Sequence, residues 1–281
     1  MLGAIQGLTE FLPVSSSGHL TLGQAALGWS KPNLLFDIVV HAGTLVAVIG
    51  VFRREVMQTV SGALRGARGT LRGGGVAAWM DDPPARLAAL VFIATCPTAL
   101  IGLLLGRRLS EATASTEVVG VILILNGFLL LGTRWVGPSA KNYGGEGVPK
   151  VTPVREAVGR ALLIGLGQGL AVIRGLSRSG TTIALGLMAG MDRDEAARFS
   201  FLLSIPAILG ALLLEFDVSA VAATGGLWVY ATGFAISALV GWLALLALLA
   251  IVRRGALHYF APYCWLAGGA ALYFFSGGPT G

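Results

Sequence analysis

The chain has 281 residues, of which 55% are hydrophobic and only 12% are charged. A soluble globular domain carries about twice that charged fraction, so the composition excludes such a domain and indicates an integral membrane protein. The net charge of +6 fits basic cytoplasmic loops in a membrane protein, and a nucleic-acid partner is not expected. Cys96 and Cys264 both lie in apolar runs, which is typical of small core residues rather than of a disulfide or a metal pair.

Six apolar segments are long enough, with their flanks, to cross a bilayer as helices of roughly 17–25 residues. In chain order they are 34–52, 87–106, 118–133, 199–214, 227–252 and 259–276. Two further regions do not fit a simple crossing. Short uncharged runs at 1–9 and 20–30 flank "QGLTEFLPVSSSGHL", and uncharged runs of 13 residues at 161–173 and 179–191 flank "RGLSRS". We interpret each region as a re-entrant helix–loop–helix hairpin whose tip lines a cavity, because irregular backbone at membrane depth needs protein or water around it.

The distribution of basic residues predicts the orientation of the segments. Arginine and lysine are in excess at 53–86, at 134–160 and at Arg253–Arg254, whereas 217–226 has none. The positive-inside rule therefore places the first three regions in the cytoplasm and the last outside. In this arrangement the first hairpin enters the membrane from outside and the second enters from the cytoplasm.

The two hairpins are related by an internal repeat. A shift of 162 residues places Gln6-Gly7-Leu8 on Gln168-Gly169-Leu170 and "SSSG" on "SRSG", with six identities in thirteen positions. The prediction is a single polytopic all-α membrane domain over 1–281. It has six transmembrane helices and two re-entrant hairpins in an inverted-topology repeat, whose halves, about 1–133 and 157–276, are joined by a cytoplasmic loop at 134–156. Inverted repeats with broken helices place their site where the halves meet.

The first tip carries groups that are costly in a membrane and therefore need partners or a purpose. Glu10 is a hard carboxylate and Gln6, one helical turn earlier, adds an amide oxygen, so these two are candidate ligands for Mg²⁺ or Ca²⁺. Ser16 offers a hydroxyl group. His19 lies three residues later and, if the stretch is helical, can reach that hydroxyl as a general base.

The second tip is suited to anions. Arg178 offers a bidentate fork for phosphate oxygens, and the start of the following helix offers free backbone N–H groups. Candidate hydroxyl donors to phosphate are Ser177, Ser179, Thr181 and Thr182. A metal, an arginine and an activated hydroxyl together indicate phosphoryl transfer. The alternative is that Glu10 and Arg178 form a buried pair that only locks the two halves together.

The motifs "QGLTEFLPVSSSGHL" and "GLSRSGTT" resemble the two signatures of the bacterial undecaprenyl-diphosphate phosphatase family, the bacitracin-resistance proteins. "FDIVVHAGTLVAV" and "FSFLLSIPAILGA" are similar to that family too. The resemblance implies a hydrolase that converts undecaprenyl diphosphate to the monophosphate and so recycles the lipid carrier of peptidoglycan synthesis. It also implies a multi-pass protein of the bacterial inner membrane, often a homodimer, with its site open to the periplasmic side.

The resemblance also assigns individual residues. Glu10 matches the essential glutamate, Gln6 a position filled by Glu or Gln, Ser16 the proposed nucleophile and His19 the essential histidine. Three residues match the second signature: Ser177, Arg178 and Thr182.

Two features depart from the family pattern. Arg174 stands where the family usually has proline, and it is either a second phosphate contact or a snorkelling cation. Only five residues precede Gln6, so the first half-helix is short and a truncated start is expected. In the following segment, Asp37 and His41 share a helix face. They are interpreted either as a hydrogen-bonded structural pair or as support for His19 or the metal.

Other functions are compatible with parts of the pattern. A transporter or flippase of polyprenyl phosphate would also have an inverted repeat with charges at the membrane midplane. A protein that only binds and shields the lipid is a third option. The type 2 phosphatidate phosphatases share a Ser-Arg element but need a later histidine, and residues 181–190 contain none.

Overall fold

The computed structural model describes residues 1–28, 34–137, 152–215 and 227–275, and within these ranges it contains helices and no β-strand. The helices are α1 (Leu2–Phe11), α2 (Ser16–Ala26), α3 (Leu34–Val51), α4 (Arg53–Gly69), α5 (Ala77–Met80), α6 (Pro83–Ala112), α7 (Thr116–Gly132), α8 (Val154–Leu170), α9 (Arg178–Met188), α10 (Arg193–Glu215), α11 (Leu227–Arg253) and α12 (Ala261–Phe275). The all-α prediction is confirmed for the described residues.

Four of the described helices, α6, α7, α10 and α11, are long and apolar enough to cross a membrane. The chain bends by 83° between α3 and α4, and this pair counts as a fifth span if it is taken as one. The segment predicted as the sixth span corresponds to α12, which is described over 15 residues. These helices are those of an integral membrane protein. The loop at 217–226 and most of the predicted linker at 134–156 lie outside the described residues.

Some element boundaries differ from the prediction. Helix α6 has 30 residues and continues past the predicted end at 106, and in this extension Arg107 pairs with Glu111 one turn later. Helix α8 begins at Val154, before the predicted uncharged run at 161–173. The helix preceding the second tip is therefore longer than expected.

Both predicted tips are real breaks between helices. The α1–α2 break contains Pro13, which has no backbone N–H to donate, and Ser15, whose φ is +70°. The α8–α9 break contains Gly175 at φ +96°, a conformation that glycine adopts without steric cost. Ser15 and Ser177, which the 162-residue shift aligns, each accept a hydrogen bond from the backbone N–H three residues on and so begin the next helix.

Glycines allow each hairpin to pack closely on a long helix. A Cβ atom at Gly7 in α1 would lie 2.7 Å from the carbonyl oxygen of Ser237 in α11, and one at Gly165 in α8 would lie 2.1 Å from that of Ala94 in α6. Below the first tip, the ring of Phe201 in α10 packs against Phe11 and Phe52. This packing fixes the end of α1, which carries Glu10.

Candidate active site

Glu10 is the centre of a polar cluster between the two tips, with only 4% of its side chain exposed. Its Oε1 accepts a hydrogen bond from Arg178 Nη2 at 2.8 Å. Its Oε2 accepts from Ser16 Oγ at 2.6 Å and from Gln6 Nε2 at 2.9 Å. A buried carboxylate needs such partners to remain ionised, and here they come from both hairpins.

The positions of these four residues follow from the helix ends. Gln6 and Glu10 lie one turn apart at the end of α1, so their side chains share a face. Ser16 is the first residue of α2 and Arg178 is the first residue of α9. Two helix N-termini, each with positive dipole character, thus begin beside the carboxylate.

His41 in α3 also faces Glu10, with Nε2 3.6 Å from Oε2. Its Nδ1 lies 2.7 Å from the backbone carbonyl oxygen of Asp37. Because that oxygen can only accept, Nδ1 carries hydrogen and Nε2 is the nitrogen directed at Glu10. The Asp37 carboxylate accepts instead from Gln24 in α2 at 2.9 Å. The Asp37–His41 pairing therefore runs through the backbone, and His41 faces Glu10 rather than His19.

The structure does not bring His19 to the Ser16 hydroxyl. The Nδ1 atom of His19 bonds the backbone carbonyl oxygen of Ser15 at 2.8 Å, and Nε2 bonds the hydroxyl of Tyr263 in α12 at 2.7 Å. The Ser16 hydroxyl donates to Glu10. In this geometry Glu10, and not the histidine, is in place to accept the proton of Ser16.

Most of the candidate phosphate ligands of the second tip maintain the turn. Ser177 Oγ accepts from Gly180 N at 3.1 Å and lies 3.2 Å from Ser179 Oγ. Thr182 Oγ1 bonds the Arg178 carbonyl at 2.8 Å and also the Ser200 hydroxyl. Only the Arg178 side chain reaches Glu10, and it makes no other hydrogen bond within the described residues.

Thr181 and Arg174 make no side-chain hydrogen bond to this cluster within the described residues. Thr181 is 5% exposed, and its hydroxyl has no partner among the described residues. The Arg174 side chain bonds Ser110 in α6 at 3.2 Å and Thr21 in α2 at 3.1 Å. It thereby ties the first hairpin to α6, and the structure shows no contact of Arg174 with Glu10.

Asn126 in α7 connects the two tips and was not among the predicted site residues. Its Nδ2 donates to the Pro13 carbonyl at 2.9 Å, and its Oδ1 accepts from Ser177 N at 3.1 Å. It is 0% exposed. A signal was present, because Asn126 is the one polar residue in the apolar run from 118 to 132, and polar groups inside a membrane helix usually have a specific role.

The donor atoms around Glu10 suit a hard divalent cation. Gln6 Oε1 is buried without a hydrogen-bond partner among the described residues, and the carboxylate of Glu10 lies one turn away. The described part of the chain contains no cluster of three or more His, Cys, Asp and Glu side chains. A cation here would depend on Glu10, Gln6, water and substrate oxygens, which is the way in which Mg²⁺ is usually bound.

A small cavity adjoins the cluster on the side of α10. Glu10, Arg178 and Ser179 line it together with Ser200 and Ser204, and it has room for about one water molecule. Polar groups thus continue from the carboxylate into the second half of the chain.

The sequence matches known proteins over nearly its whole length. The family described as "Bacitracin resistance protein BacA" matches residues 1–270. A protein of Desulfatibacillum aliphaticivorans named undecaprenyl-diphosphatase is 46% identical over 274 residues, which cover 97% of this chain and 96% of that protein. Proteins with the same name from Rubrobacter xylanophilus and Korarchaeum cryptofilum are 44% and 41% identical. They match 94% and 97% of this chain and 92% and 96% of their own lengths.

These matches agree with the geometry of the site, in which residues of both sequence motifs bond the carboxylate of Glu10. The chain belongs to the bacitracin resistance protein BacA family.

Proposed function

We propose that this protein is a membrane phosphatase that hydrolyses undecaprenyl diphosphate to undecaprenyl phosphate and phosphate. The names of its relatives support this activity. The observation that carries it is the position of Glu10, which accepts a hydrogen bond from the Ser16 hydroxyl while it is bonded to Arg178 of the other hairpin. A hydroxyl and a guanidinium that both bond one carboxylate are parts that phosphoryl transfer uses.

In the proposed reaction, the Arg178 guanidinium binds oxygens of the terminal phosphate and offsets their charge. Ser16 Oγ attacks the terminal phosphorus and Glu10 takes its proton. The bond from that phosphorus to the bridging oxygen breaks, and undecaprenyl phosphate leaves with the bridging oxygen. Water then attacks the phosphoserine, the Ser16–phosphorus bond breaks, Glu10 returns its proton to Ser16 Oγ, and phosphate is released. His19, on the same turn of α2, is proposed to accept the proton of that water.

Glu10 and Gln6 would hold the divalent cation, Mg²⁺ or Ca²⁺. When bound, it would neutralise phosphate charge and orient the diphosphate. Ser177, Ser179, Thr181 and Thr182 would shape the anion site around Arg178.

The membrane arrangement is part of the proposal. Six spans and two re-entrant hairpins in an inverted repeat would open the site to the periplasmic side of the bacterial plasma membrane. There the enzyme would recycle the lipid carrier for peptidoglycan and confer bacitracin resistance, as a homodimer in the bilayer. The bonds that join α1–α2 to α9 support a site formed by both halves.

The test is phosphate release from a polyprenyl diphosphate by purified protein in detergent, with Mg²⁺ or Ca²⁺. Replacing Ser16 with Ala should lower the rate at least 100-fold, as expected for loss of an activated group. The matched control is Ser17→Ala, because Ser17 Oγ bonds Ser15 rather than Glu10. If the unaltered protein left the substrate intact, the proposed phosphatase activity would be refuted. Equal rates for the two variants would refute the proposed role of Ser16 as the nucleophile.

Transport of polyprenyl phosphate is the second candidate function. The Glu10–Arg178 pair joins two hairpins, and an alternating-access protein would break and reform such a contact. Lipid movement across vesicles without phosphate release would establish transport. Phosphate release in detergent, where no membrane separates two sides, would establish hydrolysis.

A further inference from the structure

Helix α4 (Arg53–Gly69) runs in a different direction from the helix before it, because the chain bends by 83° between α3 and α4. It carries four arginines in 17 residues, and so many charges are too costly for a bilayer crossing. Its Gly62 packs on the start of α6, where a Cβ atom would lie 2.3 Å from the carbonyl carbon of Pro84. Since α6 is long and apolar enough to span a membrane, α4 lies at one end of a span.

The side chains of α4 form three stripes, each with the spacing of three and four residues that a helix places on one face. One stripe faces the protein and includes the buried glycines Gly62 and Gly66. The second stripe is apolar and consists of Met57, Val60 and Leu64, which are 71%, 56% and 56% exposed. A helix on the surface of a soluble protein turns such a stripe towards the core. Here the stripe points away from the rest of the described chain.

The third stripe is basic and lies beside the apolar one. It includes Arg54, Arg65 and Arg68 and contains no acidic residue. Arg65 pairs with Asp82 at 2.8 Å, whereas Arg54 and Arg68 form no ion pair among the described residues. An apolar face next to a basic face is typical of helices that lie in a membrane interface, and the charge of this face is complementary to anionic headgroups.

The first turn of α4 also borders a cleft of about 470 Å³ at the α3–α4 bend. Arg53, Arg54 and Glu55 line it from α4, and Trp242 and Leu246 line it from α11. Arginines beside apolar side chains suit a phospholipid, whose phosphate adjoins its acyl chains. The cleft therefore continues the combination of charge and apolar surface that the two exposed stripes show.

We propose that α4 is an interfacial helix that binds an anionic phospholipid surface. The apolar stripe of Met57, Val60 and Leu64 inserts among the acyl chains, and Arg54 and Arg68 bind headgroup phosphates. A second copy is disfavoured as the occupant. Two copies related by a two-fold axis along the membrane normal would place their α4 helices antiparallel and bring the basic stripes together.

Insertion is tested with a fluorophore on single cysteines, in nanodiscs of phosphatidylcholine and phosphatidylglycerol. Cys96 is exposed and is replaced with Ser, whereas Cys264 is buried and stays. The label is attached through Val60→Cys, and the matched control is Gln58→Cys on the basic stripe of the same helix. We expect nitroxides in the acyl chains to quench the label at position 60, and only nitroxides on the headgroups to quench the label at position 58.

Equal quenching at the two positions would overturn the proposal. The absence of acyl-chain quenching at position 60 would also overturn it, because water or another chain would then cover the apolar stripe.

The preference for anionic lipid is tested by native mass spectrometry of the purified protein with equal amounts of the same two lipids. We expect bound phosphatidylglycerol in excess, and Arg54→Gln combined with Arg68→Gln should lower that excess about fivefold or more, the effect of an arginine near an anionic surface. The control combines Arg107→Gln with Arg108→Gln, which removes two exposed arginines near the other end of α6. No excess in the unaltered protein, or the same loss in both double variants, would overturn the proposal.

Discussion

Arg178 donates a hydrogen bond to Glu10 at 2.8 Å, although 168 residues separate them in the chain. The guanidinium is 25% exposed and the carboxylate 4% exposed, so the pair has one buried and one accessible member. The exposed part of the Arg178 guanidinium has further N–H groups that can donate to an anion, as a phosphate site requires.

Replacing Arg178 with Lys should preserve the charge and lose the fork that binds two phosphate oxygens. We expect kcat/KM for phosphate release to fall about 10–100-fold, the effect of a charged hydrogen bond, with the folded state retained. Arg253→Lys is the control, because Arg253 pairs with Asp194 at the exposed end of α11. Equal activity of Arg178→Lys and the unaltered protein would show that Arg178 acts as a point charge only.

Arg174 should behave differently from Arg178. Its side chain bonds the hydroxyls of Ser110 and Thr21, so Arg174→Gln should lower the free energy of unfolding by about 1–2 kcal/mol and leave KM unchanged. Thermal unfolding and steady-state kinetics measure the two effects. A raised KM at unchanged stability would identify Arg174 as a phosphate contact instead.

The helix breaks of this protein follow from the local sequence, whereas several contacts of the site depend on how distant helices pack. The helix breaks at Ser15 and Ser177 were predictable because a serine cap and a proline or glycine act locally. The contact between Glu10 and Arg178 could be predicted from the internal repeat, because the repeat relates the two tips. The contact of Tyr263 with His19 depends on how α12 packs on α7, and no local pattern encodes it. His19 was expected at Ser16 because their spacing allows it, but the Ser15 carbonyl and Tyr263 compete successfully for the ring.

The role of Gln6 in metal binding can be tested directly. Its Oε1 is buried without a partner among the described residues, so Gln6→Ala should remove a cation ligand, and it also removes the hydrogen bond from Nε2 to Glu10. We expect chelation to abolish phosphate release, added Mg²⁺ or Ca²⁺ to restore it, and Gln6→Ala to need about tenfold more metal for half-maximal activity. Phosphate release that resists chelation would contradict the metal requirement.

Gly7 should be intolerant of any side chain. A Cβ atom there would lie 2.7 Å from the Ser237 carbonyl oxygen and 2.8 Å from Gly241 N, which forces α1 away from α11. Gly7→Ala should therefore cost about 1–3 kcal/mol of unfolding free energy and displace Glu10. Gly159→Ala in α8 is the control, because its Cβ atom would meet nothing within 4 Å, and replacement of a helical glycine favours the helix. Similar unfolding temperatures for the two variants would refute the close approach of α1 and α11.

Asn126 should be required for both tips at once. Its amide donates to the Pro13 carbonyl and accepts from Ser177 N. Leu at this position would leave Ser177 N without a partner and the Pro13 carbonyl with only the weak Cys264 thiol donor. A buried group without a partner costs about 1–3 kcal/mol, so Asn126→Leu should lower both the unfolding temperature and kcat. Asn126→Asp separates the two bonds, because a carboxylate can still accept from Ser177 N but cannot donate to Pro13. If Asn126→Asp retained full activity, the bond to the first tip would be dispensable, and Asn126 would serve the second tip alone.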